Sequence, residues 1–184
     1  FANDVFEPLI NSLYIDHIQI TASEDFGIGK RGGYYDQVGA LKDVGQNHQL
    51  QMLAFATMEA PKEFTSECVS KERIKILKKL VSLPKKVVFG QYEGYIKEEN
   101  VDPDSQTDTF YAFKTYLDLE RFKNVPIYIR AGKKLTKTAA EISIIFKNKH
   151  NVLIYRIAPN EGIVFKIMTK KPGYKIDLES EYLQ

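Results

Sequence analysis

The chain predicts an α+β fold in which most strands pair antiparallel. Three observations carry this. One segment rich in β-branched residues stands near the start, two helical patterns follow it, and the second half is a run of strand-like segments joined by short turns. Strands and helices therefore come in blocks, without the regular alternation of a parallel α/β protein. Consecutive strands joined by tight turns pair antiparallel.

Phe1 to Ile10 reads as a helical end that breaks near Asn11. From Leu13 to Ser23, Leu13, Ile15, Ile18 and Ile20 sit among Tyr14, Asp16, His17, Gln19 and Thr21, a strand pattern. Gly27, Gly29, Gly32 and Gly33 mark a loop. Tyr34, Val38, Leu41, Gly45, His48, Met52 and Phe55 then recur at three and four, the stripe of a helix over 34–58 that Pro61 closes. A second, amphipathic helix runs over 71–81, with Ile74, Ile76, Leu77, Leu80 and Val81 among lysines, and stops near Ser82-Leu83-Pro84. Val87 to Tyr92 reads as a strand, and the polar stretch from Gly94 to Thr109 as a long surface loop. Strands follow over 110–117, 126–130, 140–147, 152–157 and 163–169, with Pro159-Asn160-Glu161-Gly162 turning between two of them.

The 184 residues are enough for one domain with a real core, and 43% hydrophobic with 27% charged is the composition of a globular protein. A net charge of +2 gives no bulk argument for nucleic acid or membrane. No apolar run approaches membrane-spanning length, and no secretory leader is expected. Cys68 is the single cysteine, which excludes an internal disulfide and suits a reducing compartment; with Glu67 beside it and no histidine near, it reads as a structural thiol. No Cys, His and carboxylate spacing suggests a metal site. The chain starts at Phe1 and stops at Gln184, so it reads as a piece of something longer.

His48 is the main candidate for chemistry. A lone histidine on an apolar stripe is commonly a satisfied core or edge residue, and otherwise a general base. Asp43 lies about 140° around an α-helix from position 48. The two should not share a face, and a group that orients His48 should come from elsewhere. The glycine-rich turn either meets a phosphate at a helix N-terminus or permits a sharp reversal. Gly27-Ile28-Gly29-Lys30-Arg31-Gly32 matches G-x-G-x-x-G by letter, but no parallel β-α-β unit follows. Arg130-Ala131-Gly132-Lys133-Lys134, after a strand, is either a phosphate contact or a solvated basic loop. His17 lies on a strand, His150 in the turn from Asn148 to Asn151, and Lys170-Lys171-Pro172-Gly173 at a hairpin end.

Taken in order, Phe1-Ala2-Asn3, Ile15 to Glu24, Arg31-Gly32-Gly33-Tyr34-Tyr35-Asp36, Asp43 to His48, Gln51-Met52, Met58-Glu59-Ala60-Pro61, Gln91-Tyr92, Val125-Pro126, Arg130 to Lys133 and Pro159-Asn160-Glu161 resemble the C-terminal domain of the glucose-6-phosphate dehydrogenase family. The resemblance spans nearly the whole chain. It implies a large, mainly antiparallel sheet with helices packed on one face, acting in substrate binding and dimerisation, with residues 1–184 as that domain truncated at both ends. It also implies oxidation of glucose 6-phosphate to 6-phosphogluconolactone with NADP as hydride acceptor, in the cytoplasm, by a homodimer or dimer of dimers. In this reading His48 removes the proton of the C1 hydroxyl, Glu24 and Asp43 contact the sugar, and Lys133 contacts the substrate. The family's second basic residue, five positions after Lys133, falls on Thr138, with Lys137 next to it as a stand-in. Arg130, Arg156 and Lys166 fit a second, structural NADP site, but Ala139 and Ser143 stand where that site expects basic residues. Gly45 replaces a bulky apolar residue.

The family's N-terminal Rossmann domain, which holds the main NADP site, is absent from the chain. So is the D-H-Y-L-G-K-E segment, whose aspartate orients the base and whose histidine and lysine grip the sugar phosphate. The isolated piece is therefore expected to be inactive. Two rival readings stand beside this one: a standalone sugar-phosphate-binding or oligomerisation module without catalysis, and a nucleic-acid binder using Lys78, Lys79, Lys85 and Lys86, which lacks aromatic stacking residues.

Overall fold

Ile15–Ser23 forms strand β1, the strand on which the sheet is built. Ile18 and Ile20 are fully buried on one face, and the two-residue period turns His17, Gln19 and Thr21 to the other. In this computed structural model, which describes residues 5–81, 86–147 and 150–183, seven further strands join it: β2 Val87–Gly90, β3 Phe110–Thr115, β4 Ile127–Gly132, β5 Ala139–Phe146, β6 Val152–Ala158, β7 Gly162–Lys170 and β8 Leu178–Leu183. Their order is β2-β3-β4-β1-β5-β6-β7-β8. The expectations placed on Phe1-Ala2-Asn3, on Ser82-Leu83-Pro84, on Lys85 and on Asn148-Lys149 lie outside the described residues.

Every neighbouring pair is antiparallel except β1 with β4, which run parallel with Ser23 opposite Gly132. The turn chemistry could not announce that pair, because its two strands are not consecutive. Strand β8 was also not anticipated: Leu178-Glu179-Ser180-Glu181-Tyr182-Leu183 is half charged or polar and sits exposed on an edge.

The single helix expected over 34–58 is three pieces. Helix α1, Gly32–Ala40, is interrupted at Gly39, whose φ of 71° breaks the right-handed path. A π-helical segment, Leu41–Gln49, follows, closed by the bond from Leu50 N–H to the Gly45 carbonyl. Helix α2, Leu50–Thr57, completes the run. The wider winding changes which side chains turn inward. Gly39, Ala40, Gly45, Gln49, Met52, Leu53 and Thr57 are buried, whereas Tyr34, His48 and Phe55 of the expected stripe are exposed. Within the π-helical segment the buried positions are Gly45 and Gln49.

Helix α3, Ser66–Lys78, starts five residues earlier than its apolar pattern suggested, because the Thr65 side chain accepts the Cys68 N–H at 3.3 Å. The stretch from Gly94 to Thr109 is more than surface loop. Tyr95 and Thr109 are fully buried. The Asp36 carboxylate of α1 accepts hydrogen bonds from the Tyr95 hydroxyl at 2.8 Å, from the Asp102 N–H at 3.2 Å and from Ser105, and Thr107 donates to the Asp36 carbonyl at 2.6 Å. Burial acts to raise the Asp36 pKa, but the hydrogen bonds from Ser105, Tyr95 and Asp102 overcome it and hold the carboxyl below its ordinary value.

Candidate active site

The parallel pairing creates the site. Because β1 and β4 end side by side, the residues that follow, Glu24 and Lys133, emerge as neighbours. The backbone ties them further: Glu24 N–H donates to the Gly132 carbonyl at 3.0 Å, Leu135 N–H to the Glu24 carbonyl at 2.9 Å, and Lys133 N–H to the Thr109 carbonyl at 3.0 Å. Lys133 is only 4% exposed. Its ammonium is paired with the Glu24 carboxylate and lies over the rings of Tyr35 at 5.3 Å and Phe26 at 5.8 Å. A buried ammonium without a counter-charge costs several kcal/mol, so carboxylate and ring faces together make this placement tenable. Burial first, and then the nearby Asp108 and Asp43, push the Tyr35 phenol far above its ordinary range, so Tyr35 stays neutral.

His48 comes from the π-helical segment. Bonding from residue to fifth residue, at about 4.4 residues per turn, leaves position 48 about 50° around from position 43 instead of 140°. Asp43 and His48 therefore stand on one side, contrary to the expectation drawn from α-helical pitch. Both line a cavity of about 1060 Å³ whose wall also holds Glu24, Lys133, Tyr35 and Thr138. Four residues named from the sequence, His48, Asp43, Glu24 and Lys133, thus share one opening. Lys137 is not on that wall. Its ammonium is exposed and lies 3.9 Å from Glu141, while Thr138 bonds Asp25 through its hydroxyl at 2.6 Å. The His48 imidazole has no hydrogen-bond partner among the described residues.

The glycine-rich turn winds through Gly29–Arg31 into α1. A Cβ at Gly32 would sit 1.9 Å from the Glu99 carbonyl oxygen, so glycine here admits the neighbouring chain. Among the described residues the parallel pair β1 and β4 is joined through helices and two further strands, so the turn does not open a simple β-α-β unit.

Arg130, Arg156 and Lys166 lie on the sheet face opposite the helices. Arg130, Thr21, Glu141 and Arg156 are successive partners across β4, β1, β5 and β6, so a carboxylate stands between the two guanidinium groups. Arg130 Nε donates to Thr21 Oγ1 at 3.0 Å, and the Lys166 ammonium lies over the Tyr182 ring at 5.8 Å. At about 4.8 Å per strand, Arg130 and Arg156 are roughly 14 Å apart across the sheet. Among the described residues no cluster of three His, Cys, Asp or Glu could hold a metal, and no helix is long and apolar enough to cross a membrane.

Sequence reading passed over Gln49 and Tyr111, both fully buried. No local signal marks them, since their partners lie 62 and 81 residues away.

Comparison with known proteins agrees with this architecture. A family model described as glucose-6-phosphate dehydrogenase, C-terminal domain, matches residues 1–184. The chain is 42% identical over 200 residues to the glucose-6-phosphate 1-dehydrogenase of Chlamydia muridarum, covering 94% of this chain and 39% of that protein. It superimposes along its whole length on 42% of the glucose-6-phosphate 1-dehydrogenase of Mycobacterium avium, with a TM-score of 0.92 and 34% identity. It likewise matches 42% of a glucose-6-phosphate dehydrogenase solved in complex with its substrate glucose-6-phosphate, at a TM-score of 0.89 and 36% identity. The chain spans about two fifths of each of these relatives. The chain belongs to the glucose-6-phosphate dehydrogenase family, as its C-terminal domain.

Proposed function

We propose that this chain is the substrate half of an NADP-dependent dehydrogenase that oxidises glucose 6-phosphate to 6-phosphogluconolactone. The observation that carries the reading is the single cavity joining His48 and Asp43, from the π-helical segment, to Glu24 and Lys133, from two paired strand ends. NADP, bound by sequence outside this chain, supplies the hydride acceptor.

The residues divide the remaining work. As the C1 hydrogen leaves with its electron pair, positive charge builds at C1 unless the hydroxyl proton departs and the C1–O double bond forms. His48, exposed to the cavity with an imidazole free to accept, takes that proton. Glu24 and Asp43 accept hydrogen bonds from sugar hydroxyls. Lys133, held in place before substrate arrives, donates to substrate oxygens. A carboxylate from sequence outside the chain orients the imidazole. In full-length protein His48→Asn should lower kcat on the order of 10²- to 10⁴-fold while the Kd for glucose 6-phosphate changes only a few-fold. Unchanged turnover contradicts the assignment.

The same reading makes the helix-free sheet face the surface on which a second copy docks, giving a homodimer or dimer of dimers in the cytoplasm. Val88 and Tyr128 support it, since they share a groove on that face and are 60% and 44% exposed. The single cysteine suits a reducing compartment. Sedimentation equilibrium of full-length Tyr128→Glu should show weakened association, and an unaltered mass would count against this face.

A further inference from the structure

Gly45 sits in the middle of the π-helical segment, between Asp43 and His48. Its backbone is not in the left-handed region, so conformation does not demand glycine there. Space does. A Cβ at this position would lie 2.7 Å from the Tyr111 hydroxyl oxygen and 3.2 Å from Tyr111 Cζ. Tyr111 reaches the segment from β3 and is fully buried.

The tyrosine hydroxyl has a purpose for its position: it donates to Gln49 Oε1. Gln49 is fully buried as well. Its amide nitrogen donates to the Arg130 carbonyl at 2.6 Å and to the Ile20 carbonyl at 3.4 Å. With the nitrogen between two carbonyls and the oxygen receiving a hydroxyl, the orientation of the amide is set by its partners. The two carbonyls belong to β4 and β1, the parallel strands that end in Lys133 and Glu24. One side chain, adjacent in sequence to His48, therefore fastens the base-bearing segment to both strands that carry the substrate-facing charges.

A buried polar cluster of this kind is costly unless every group is paired, and when paired it selects one arrangement. The segment it holds needs such selection, because π-helical winding is rare and persists where surrounding contacts impose it. An apolar trio would fill the same space without fixing the rotation of the segment.

We propose that Gly45, Gln49 and Tyr111 form a positioning unit for the reaction, a hydroxyl–amide clamp with a glycine gap that sets where His48 and Asp43 stand relative to Glu24 and Lys133. None of the three touches substrate. The proposal rests on the reading of His48 as the base, but its geometric content can be tested apart from catalysis.

The test is a double-mutant cycle in the full-length protein. Gly45→Ala places a methyl group against the Tyr111 oxygen and displaces the segment. A shift approaching 1 Å costs up to about 100-fold in rate, so kcat should fall at least about 10-fold while the KM for glucose 6-phosphate moves less than about threefold. Tyr111→Phe alone removes the hydroxyl that holds the Gln49 amide in orientation and should lower kcat several-fold, again with little change in KM. Gly45→Ala with Tyr111→Phe together removes the oxygen that the methyl strikes, so the double variant should turn over faster than Gly45→Ala alone. A double variant as slow as the product of the two single effects overturns the proposal, as does an unaltered kcat in folded Gly45→Ala. If Gly45→Ala does not fold, Tyr111→Phe decides alone, and wild-type kcat there refutes the clamp. The His48 imidazole resonance, assigned by its loss in His48→Asn, separates this idea from the base assignment. It should move in Gly45→Ala and move back in the double variant even if His48 proved not to be the base, and a resonance indifferent to all three variants sinks the clamp independently.

Discussion

Lys133 and His48 line one cavity but are held in opposite ways. Lys133 is sealed to 4% exposure, paired with Glu24 and flanked by two aromatic rings. His48 is exposed, and its ring has no hydrogen-bond partner among the described residues. The lysine's environment is written entirely within this chain, at the junction of two parallel strands. The backbone that carries the histidine is clamped, while its ring is left open. Under the proposed function, the contrast fits a substrate contact preorganised within this chain and a base whose orienting group lies outside it.

The contrast has consequences for stability that can be measured. Glu24→Ala strands a buried ammonium and should cost about 3 kcal/mol of unfolding free energy. His48→Asn should change stability by less than about 0.5 kcal/mol, as exposed substitutions do, even though the proposed function expects it to lower turnover greatly. Urea midpoints of the two variants compare these directly, and equal losses would erase the distinction. A smaller effect is expected at Asp36, which straps the loop before β3 onto α1. Its folded pKa lies below the ordinary value of 3.8, so its stabilisation is fully present above that pH and is lost as pH falls through the lower folded value. Asp36→Asn should therefore unfold with a shallower dependence on acid, and an unaltered slope below pH 3.8 would remove Asp36 from the account.

Much of this architecture was readable before any coordinates. The β-branched run around Ile18 and Ile20 named the central strand, because burial on one face leaves a period of two. The late strands followed from their turns. What escaped notice depends on partners distant in sequence. Ile20 and Ile129 pair in the parallel ladder across more than a hundred residues, and Tyr111 meets Gln49 across 62. The π winding escaped for a different reason. Spacings of three and four are present at 34, 38, 41, 45, 48, 52 and 55, but the backbone over Leu41–Gln49 winds wider, with Tyr111 packed against Gly45 and bonded to Gln49. Tertiary packing overrode local periodicity there, and the calculated angle between Asp43 and His48 changed with it.

The candidate site was legible as a set of residues but not as a shape. His48, its neighbour Asp43 and the basic strand end with Lys133 stand out from the residues alone, the resemblance adds Glu24 and the substrate roles, and the parallel strand ends account for Glu24 and Lys133 being neighbours. Lys137, offered as a substitute contact, points toward Glu141, and Thr138 faces the cavity in its place. A single-position difference of this kind at the start of a strand exchanges one face for the other, which letters alone do not reveal.

The central claim is that His48 and Lys133 serve one bound sugar. Titrating glucose 6-phosphate into full-length protein while following the His48 imidazole and the Lys133 ε-methylene by NMR tests it most directly. Both signals should move together and fit one Kd. Movement of one signal without the other, or two separate dissociation constants, would contradict a shared site.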